Sequence, residues 1–313
     1  MSRVTRARGA IAARPAEREL TAVSADGARL HVEVHGTGGP AVVLAHGWTC
    51  STLFWDAQVR DLAVDHRVVV YDQRGHGRSP APGPGGCSTE ALADDLEAVL
   101  AATLEPGEKA VLGGHSMGGM TLMAAGARPR VREHAAAALL CSTGASRLVA
   151  ESLVLPLRPG ALRTRLTTAV LGAAAPLGPV NAVSRAVLKY ATMGPGSAPD
   201  RVDACARIVH ACPTGARVAW SHVLAELDVE ERVRELRVPT AVIAGTADRL
   251  TPPVHARALA LALPDCTGLT ELTGVGHMTP VEAPEAVTAA LRALVDTYVR
   301  VVEPRQSTKE GAA

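Results

Sequence analysis

Three short stretches nearly free of polar side chains set the pattern of the chain: Ala41-Val42-Val43-Leu44-Ala45, Val68-Val69-Val70-Tyr71 and the apolar run that enters Gly113-Gly114. Runs this short and this uniformly apolar predict strands covered on both faces, as inside a parallel sheet. Ahead of them, from Glu19, the chain reads as a strand, an Asp26-Gly27 turn and the alternating Leu30-His31-Val32-Glu33-Val34, a hairpin at a sheet edge. Between the runs the period changes. Residues 51–63 can form a helix offering Phe54 and Trp55 to the sheet, and Ser88-Thr89-Glu90 opens a helix to about 102 with Leu92, Leu96 and Leu100 on one face. Residues 135–142 predict another buried strand. The alternation of strand and helix indicates an α/β fold, a mainly parallel sheet with right-handed crossovers and helices on both sides.

At Thr143 the alternation stops. Helical patches around 161–172, 180–192, 201–211 and 215–227 follow, separated by Gly/Pro-rich segments and with no run of strand formers between them. They predict a helical insertion laid over the sheet edge. From Gly144 to His222 it carries eight Arg and one Lys against one Glu and two Asp, a basic balance that would suit an anionic substrate or merely a solvated face. The sheet resumes at 239–245, followed by a helix at 253–263, a strand at 268–272 and a last helix at 284–299 with Val287, Leu291 and Leu294 on one face. The resulting division is a loose basic arm (1–16), a first core segment (17–143), a helical cap (144–227), a second core segment (228–301) and a disordered tail (302–313).

Composition narrows the function. A chain of 313 residues can bury a large core, yet Phe54 is its only Phe, so Ala, Val and Leu must fill that core. The net charge of +1 implies no nucleic-acid partner. No apolar run is long enough for a secretory signal or a membrane span, which excludes stable membrane insertion and makes a cytoplasmic monomer or small homo-oligomer the expectation. The six cysteines form no C-x-x-C pair or metal-ligand series and read as free thiols. His31 and His35 share a strand face, but no neighbour in sequence completes a metal site. Neither a metal nor a cofactor is expected.

The chemistry concentrates at Gly114-His115-Ser116-Met117-Gly118, where a buried strand turns directly into an Ala-rich helix. Such a turn holds its middle residue in a strained conformation above the sheet edge, and the flanking Gly114 and Gly118 let neighbouring backbone approach. A serine hydroxyl is a poor nucleophile without a base and a partner to orient that base. Asp248 and His277 each follow a predicted late strand, 132 residues after Ser116 and 29 after Asp248, so all three converge on the carboxyl edge of the sheet. The tetrahedral intermediate needs two donors, best supplied by the main-chain N–H groups of Met117 and Trp48. Gly47 permits the close turn there, and His46 braces it. His115 reads as packing or hydrogen-bonding support, and Asp72 and Arg74 as holding the sharp loop at 72–80.

The segments HGW (46–48), DQRGHGRS (72–79), GHSMGG (114–119), GTADRLTP (245–252) and GVGHMTP (274–280) together resemble the α/β-hydrolase superfamily, in its capped esterase, lipase and haloperoxidase-like branch. The resemblance covers about residues 28 to 299 apart from the insertion. It implies an eight-stranded, mostly parallel sheet with a helical cap after the sixth strand, and the triad and oxyanion hole placed above. Serine at 116 argues against the members that use an aspartate nucleophile on epoxides and haloalkanes. The leading expectation is hydrolysis of a small to medium hydrophobic carboxylic ester through an acyl-enzyme. The alternatives are a carbon–carbon bond hydrolase or lactonase acting on an anionic metabolite, or a non-catalytic ligand-binding member of the fold.

Overall fold

The computed structural model describes residues 15–83 and 85–299, so the arm expected at 1–16, save its last two residues, and the tail at 302–313 lie outside the described residues. Eight strands form one sheet: β1 (Arg18–Val23), β2 (Arg29–His35), β3 (Ala41–Ala45), β4 (Arg67–Tyr71), β5 (Ala110–His115), β6 (Ala135–Cys141), β7 (Thr240–Gly245) and β8 (Cys266–Leu272). Their order across the sheet is β1-β2-β4-β3-β5-β6-β7-β8. The β1–β2 and β2–β4 pairs are antiparallel and the rest parallel.

The uniformly apolar strands occupy the middle of the sheet because both of their faces are covered. In β3, Ala41, Val43 and Ala45 enter one core while Val42 and Leu44 enter the other, as the two-residue period of a strand requires. The first core is closed by α2 (Thr89–Thr103) and α3 (Met117–Ala125), with Leu92, Leu96 and Leu100 inward. The second is closed by α13 (Pro284–Tyr298) and by α1 (Asp56–Leu62) with the short 3-10 turn Thr52–Trp55 before it; Phe54, Trp55, Val287 and Leu291 fill it. The helix expected at 51–63 therefore forms in two pieces. Sequence periodicity missed α4 (Pro129–His134) and α12 (Thr279–Glu282), both too short to show a repeat.

Between β6 and β7 the chain leaves the sheet and forms only helices: α5 (Leu148–Glu151), α6 (Ala161–Leu171), α7 (Ala182–Thr192), α8 (Pro199–Ala211), α9 (Thr214–Glu226) and α10 (Glu230–Val233). α11 (Pro253–Ala262) then links β7 to β8. The insertion is fastened to the core by long-range bonds. The Trp220 indole N–H donates to the Arg74 carbonyl at 3.1 Å, and the Trp48 indole N–H to the Arg217 carbonyl at 3.1 Å.

Candidate active site

Ser116 sits between the end of β5 and the first turn of α3 with φ 51° and ψ −117°, a left-handed conformation that a non-glycine residue holds only when its surroundings impose it. Those surroundings are two main-chain anchors and a set of glycines. The Ser116 N–H donates to the Cys141 carbonyl at 2.9 Å, and the Thr143 hydroxyl donates to the Ser116 carbonyl at 2.7 Å. A Cβ on Gly118 would lie 2.1 Å from the Ala45 carbonyl oxygen, and one on Gly114 would lie 2.5 Å from that of Gly118. The α3 turn and the end of β3 thus touch through backbone alone.

The loop after β3 lies directly against this turn. A Cβ on Gly47 would fall 3.1 Å from the Ser116 Cβ and 2.7 Å from His115 Nδ1. The His46 Nδ1–H donates to the Gly47 carbonyl at 2.7 Å, and its Nε2 accepts the Gln73 N–H at 3.0 Å. His76 repeats the arrangement, with Nδ1–H to the Arg74 carbonyl at 3.1 Å and Nε2 accepting the Thr49 N–H at 3.2 Å. Burial keeps both rings neutral, lowering His46 to about 3 and His76 to about 4, and burial holds His115 well below the ordinary histidine range. Among the described residues the main-chain N–H groups of Trp48 and Met117 have no hydrogen-bond partner.

Asp72 and Arg74 hold the 72–80 loop. Asp72 accepts the Thr52 and Arg78 N–H groups, each at 2.8 Å. Arg74 reaches further than a local role requires, pairing with buried Asp95 at 2.5 Å and with Asp26 at 2.8 Å, so that it also ties α2 to the β1–β2 turn.

On the far side of the site, His277 Nδ1–H donates to Asp248 Oδ2 at 2.8 Å, with both side chains buried. Asp248 Oδ1 accepts the Leu250 and Thr251 N–H groups at 2.8 and 2.9 Å, and the Thr251 hydroxyl donates to Oδ2 at 2.9 Å. The carboxylate is therefore held at both oxygens. His115 Nε2–H donates to the His277 carbonyl at 2.8 Å, which links the Ser116 turn to the His277 loop. Ser116 and His277 open onto one cavity, but no hydrogen bond joins Ser116 Oγ to His277 Nε2.

Two residues that sequence reasoning missed complete the setting. Thr251 lies inside the quoted GTADRLTP segment, three positions after Asp248. Glu282 follows the GVGHMTP segment and holds the loop on both sides of His277, accepting the Gly276 N–H at 3.1 Å and the Met278 N–H at 3.1 Å. The same carboxylate accepts the Gly194 N–H at 2.7 Å and the Ser197 hydroxyl at 2.5 Å from the insertion. The Thr192 carbonyl adds bonds from the N–H groups of His277 and Met278.

The cavity has a volume of about 550 Å³. Its walls are mostly apolar side chains of the insertion, among them Leu148, Val170, Leu171, Val187 and Leu188, and Trp48 forms part of one wall. The basic residues of the insertion contribute little charge to it. Arg217 borders the cavity, yet its guanidinium is spent on the Ala173 and Ala175 carbonyls at 2.8 and 2.6 Å. Arg147 pairs with Glu151, and Arg185 and Arg207 share Asp203.

Strand pairing supplies what the sequence around His31 and His35 lacks. Glu19 lies opposite Glu33, and donor atoms of Glu19, His31 and Glu33 fall within 4.8 Å of one another. Arg78 already pairs with Glu19 at 2.7 Å, and Glu33 bonds both histidines. The cluster lies on the two antiparallel strands at the sheet edge, with β4 and β3 between them and β5, which leads into Ser116.

Residues 42–290 match the model of the alpha/beta hydrolase family. Among individual relatives, polyketide synthase ThaQ of Burkholderia thailandensis is 32% identical over 281 residues, which is 88% of this chain but only 13% of that protein. RutD of Pseudomonas syringae pv. syringae, whose designation as a carbamate hydrolase is itself provisional, is 30% identical over 264 residues, covering 82% of this chain and 94% of RutD. Among solved structures, a thermophilic esterase from Thermogutta terrifontis superposes with a TM-score of 0.71 at 26% identity, over 89% of this chain and 98% of the esterase.

Proposed function

The chain belongs to the alpha/beta hydrolase family, and we propose that within it the protein is a serine hydrolase of hydrophobic carboxylic esters. The observation that carries this reading is the convergence of the strained Ser116 and the buried His277–Asp248 pair on one apolar cavity. The esterase from Thermogutta terrifontis supports the same reaction class.

In this reading an ester occupies the cavity with its acyl carbon over Ser116. The Ser116 oxygen attacks that carbon while His277 Nε2 takes the hydroxyl proton, through a Ser116–His277 hydrogen bond that forms as substrate binds. Asp248, fixed by Leu250 and Thr251, holds the proton on Nδ1 so that Nε2 is the basic nitrogen, and it balances the charge of the imidazolium. The oxyanion lies against the N–H groups of Trp48 and Met117, which need no reorganisation to receive it. Collapse breaks the bond to the alcohol oxygen, which leaves with the proton from His277. Water then attacks the acyl carbon as His277 takes its proton, the bond from that carbon to the Ser116 oxygen breaks, and His277 returns the proton to Ser116 as the acid departs.

A cavity of about 550 Å³ with few polar groups favours an apolar acyl or alcohol moiety. The six free cysteines suit a reducing compartment such as the cytoplasm. The test is labelling with a fluorophosphonate followed by peptide mapping, alongside turnover of short p-nitrophenyl esters by Ser116→Ala. Label on Ser116 and near-complete loss of turnover are expected. Parental turnover in the folded variant refutes the proposal.

A further inference from the structure

Two helices of the insertion turn large apolar side chains outward. In α6 the buried positions are Arg163 and Thr167, while Leu162, Leu166 and Val170 face outward with exposures of 69%, 42% and 54%. In α7, Val183, Val187 and Tyr190 make the exposed face, with exposures of 72%, 62% and 44%. The connector between the two helices continues it, with Leu177 exposed among alanines and prolines. Nine of the fourteen large apolar side chains exposed among the described residues lie between 153 and 190. Scattered apolar residues are ordinary on a protein surface, whereas exposed apolar side chains gathered around one cavity, as Val170, Leu177, Val183 and Val187 are, mark an interaction site.

Charge decides the partner. No Asp or Glu occurs between Glu151 and Asp200, and the cations exposed beside the patch are Arg158 and Arg165, neither of which has an ion-pair partner among the described residues. A two-fold interface would set this patch against itself, arginine facing arginine with no carboxylate to answer. An anionic lipid surface supplies both complements, acyl chains for the apolar faces and head groups for the arginines. The patch also runs into the cavity, because Val170, Leu177, Val183 and Val187 are both exposed and part of its wall.

We propose that the outer face of α6, α7 and their connector docks the protein peripherally on anionic lipid surfaces. The helices lie on the surface and do not cross it; among the described residues no helix is long and apolar enough to span a membrane. Docking is a property of the cap surface and does not depend on turnover.

The test is co-sedimentation of the full chain with phosphatidylcholine vesicles, with and without phosphatidylglycerol. Binding to the anionic vesicles is expected, weakening about fivefold for each of Arg158→Gln and Arg165→Gln. Leu162→Gln with Leu166→Gln should weaken it further. All four substituted side chains lie outside the cavity wall, so turnover of soluble p-nitrophenyl acetate and the circular dichroism spectrum should match the parent. Sedimentation no greater than with phosphatidylcholine alone, or equal binding by the variants, overturns the proposal. So does a lipid-free dimer that the leucine variant converts to monomer without vesicle binding, since a second copy would then cover the patch.

Discussion

Removing the Glu282 carboxylate should separate two roles that one side chain combines. Its oxygens accept the main-chain N–H groups of Gly276 and Met278 on the histidine loop, and those of Gly194 and the Ser197 hydroxyl on the insertion. Glu282→Ala leaves the Gly276 and Gly194 N–H groups without an acceptor in a buried region, and leaves Met278 only its 3.3 Å bond to the Thr192 carbonyl. At about 1–3 kcal/mol for each unsatisfied buried group, and with partial relief by entering water, the expected loss of stability is about 3–5 kcal/mol. The loop carrying His277 also loses its support, and a shift on the order of 1 Å in a catalytic base costs up to about 100-fold in kcat. Glu282→Gln should behave differently. Its carbonyl oxygen can keep Gly276 and Met278, while its amide N–H₂ meets the N–H of Gly194, so the damage falls on the insertion side at about 1–2 kcal/mol with kcat close to the parent. Urea unfolding at pH 7 measures the first quantity and steady-state hydrolysis of a p-nitrophenyl ester the second. A loss under about 1 kcal/mol for the alanine variant, or equal kcat losses in the two variants, would refute this reasoning.

The other expectations concern the remaining parts of the site. Asp248→Asn should lower kcat on the order of 10³–10⁴-fold, because the amide favours the wrong imidazole tautomer, with KM little changed; a loss under tenfold in steady-state kinetics speaks against an orienting acid. Burial depresses His46 to about 3 and His76 to about 4, so the folded state resists protons that the unfolded chain accepts near pH 6.5. Their contribution to stability is complete above pH 6.5 and declines as pH falls toward 4, by about 1.4 kcal/mol per pH unit for each ring. Urea midpoints measured from pH 7 to pH 4.5 should follow that slope, and a flat profile contradicts it. Gly118→Ala places a methyl 2.1 Å from the Ala45 carbonyl oxygen, backbone against backbone, and should cost at least about 2 kcal/mol while displacing the Met117 donor. Parental melting temperature and activity would show that the contact is not tight.

The central strands were legible because burial on both faces leaves no room for polar side chains, and β3, β4 and β5 say so in five or six residues each. Ser116 and Asp248 stand out as candidates for a related reason, since each follows an apolar run, while His277 is marked by the glycines before it rather than by its strand, CTGLTEL. Glu282 escaped notice because its work is to bind main-chain groups, which any sequence supplies, and it meets Gly194 only after 88 residues have folded back; Thr251 escaped because a single hydroxyl three residues past an aspartate makes no pattern of its own. The surface of α6 and α7 was not legible at all. Periodicity reports that Val183 and Val187 share a face with Tyr190, but not whether that face turns inward.

The bonds from the His277 and Met278 N–H groups to the Thr192 carbonyl involve no side chain at the accepting residue. Every amino acid brings a carbonyl, so these two bonds place no demand on the side chain at 192. A joint of this kind leaves no signature in a row of letters, and superposed backbones are what would reveal it in relatives.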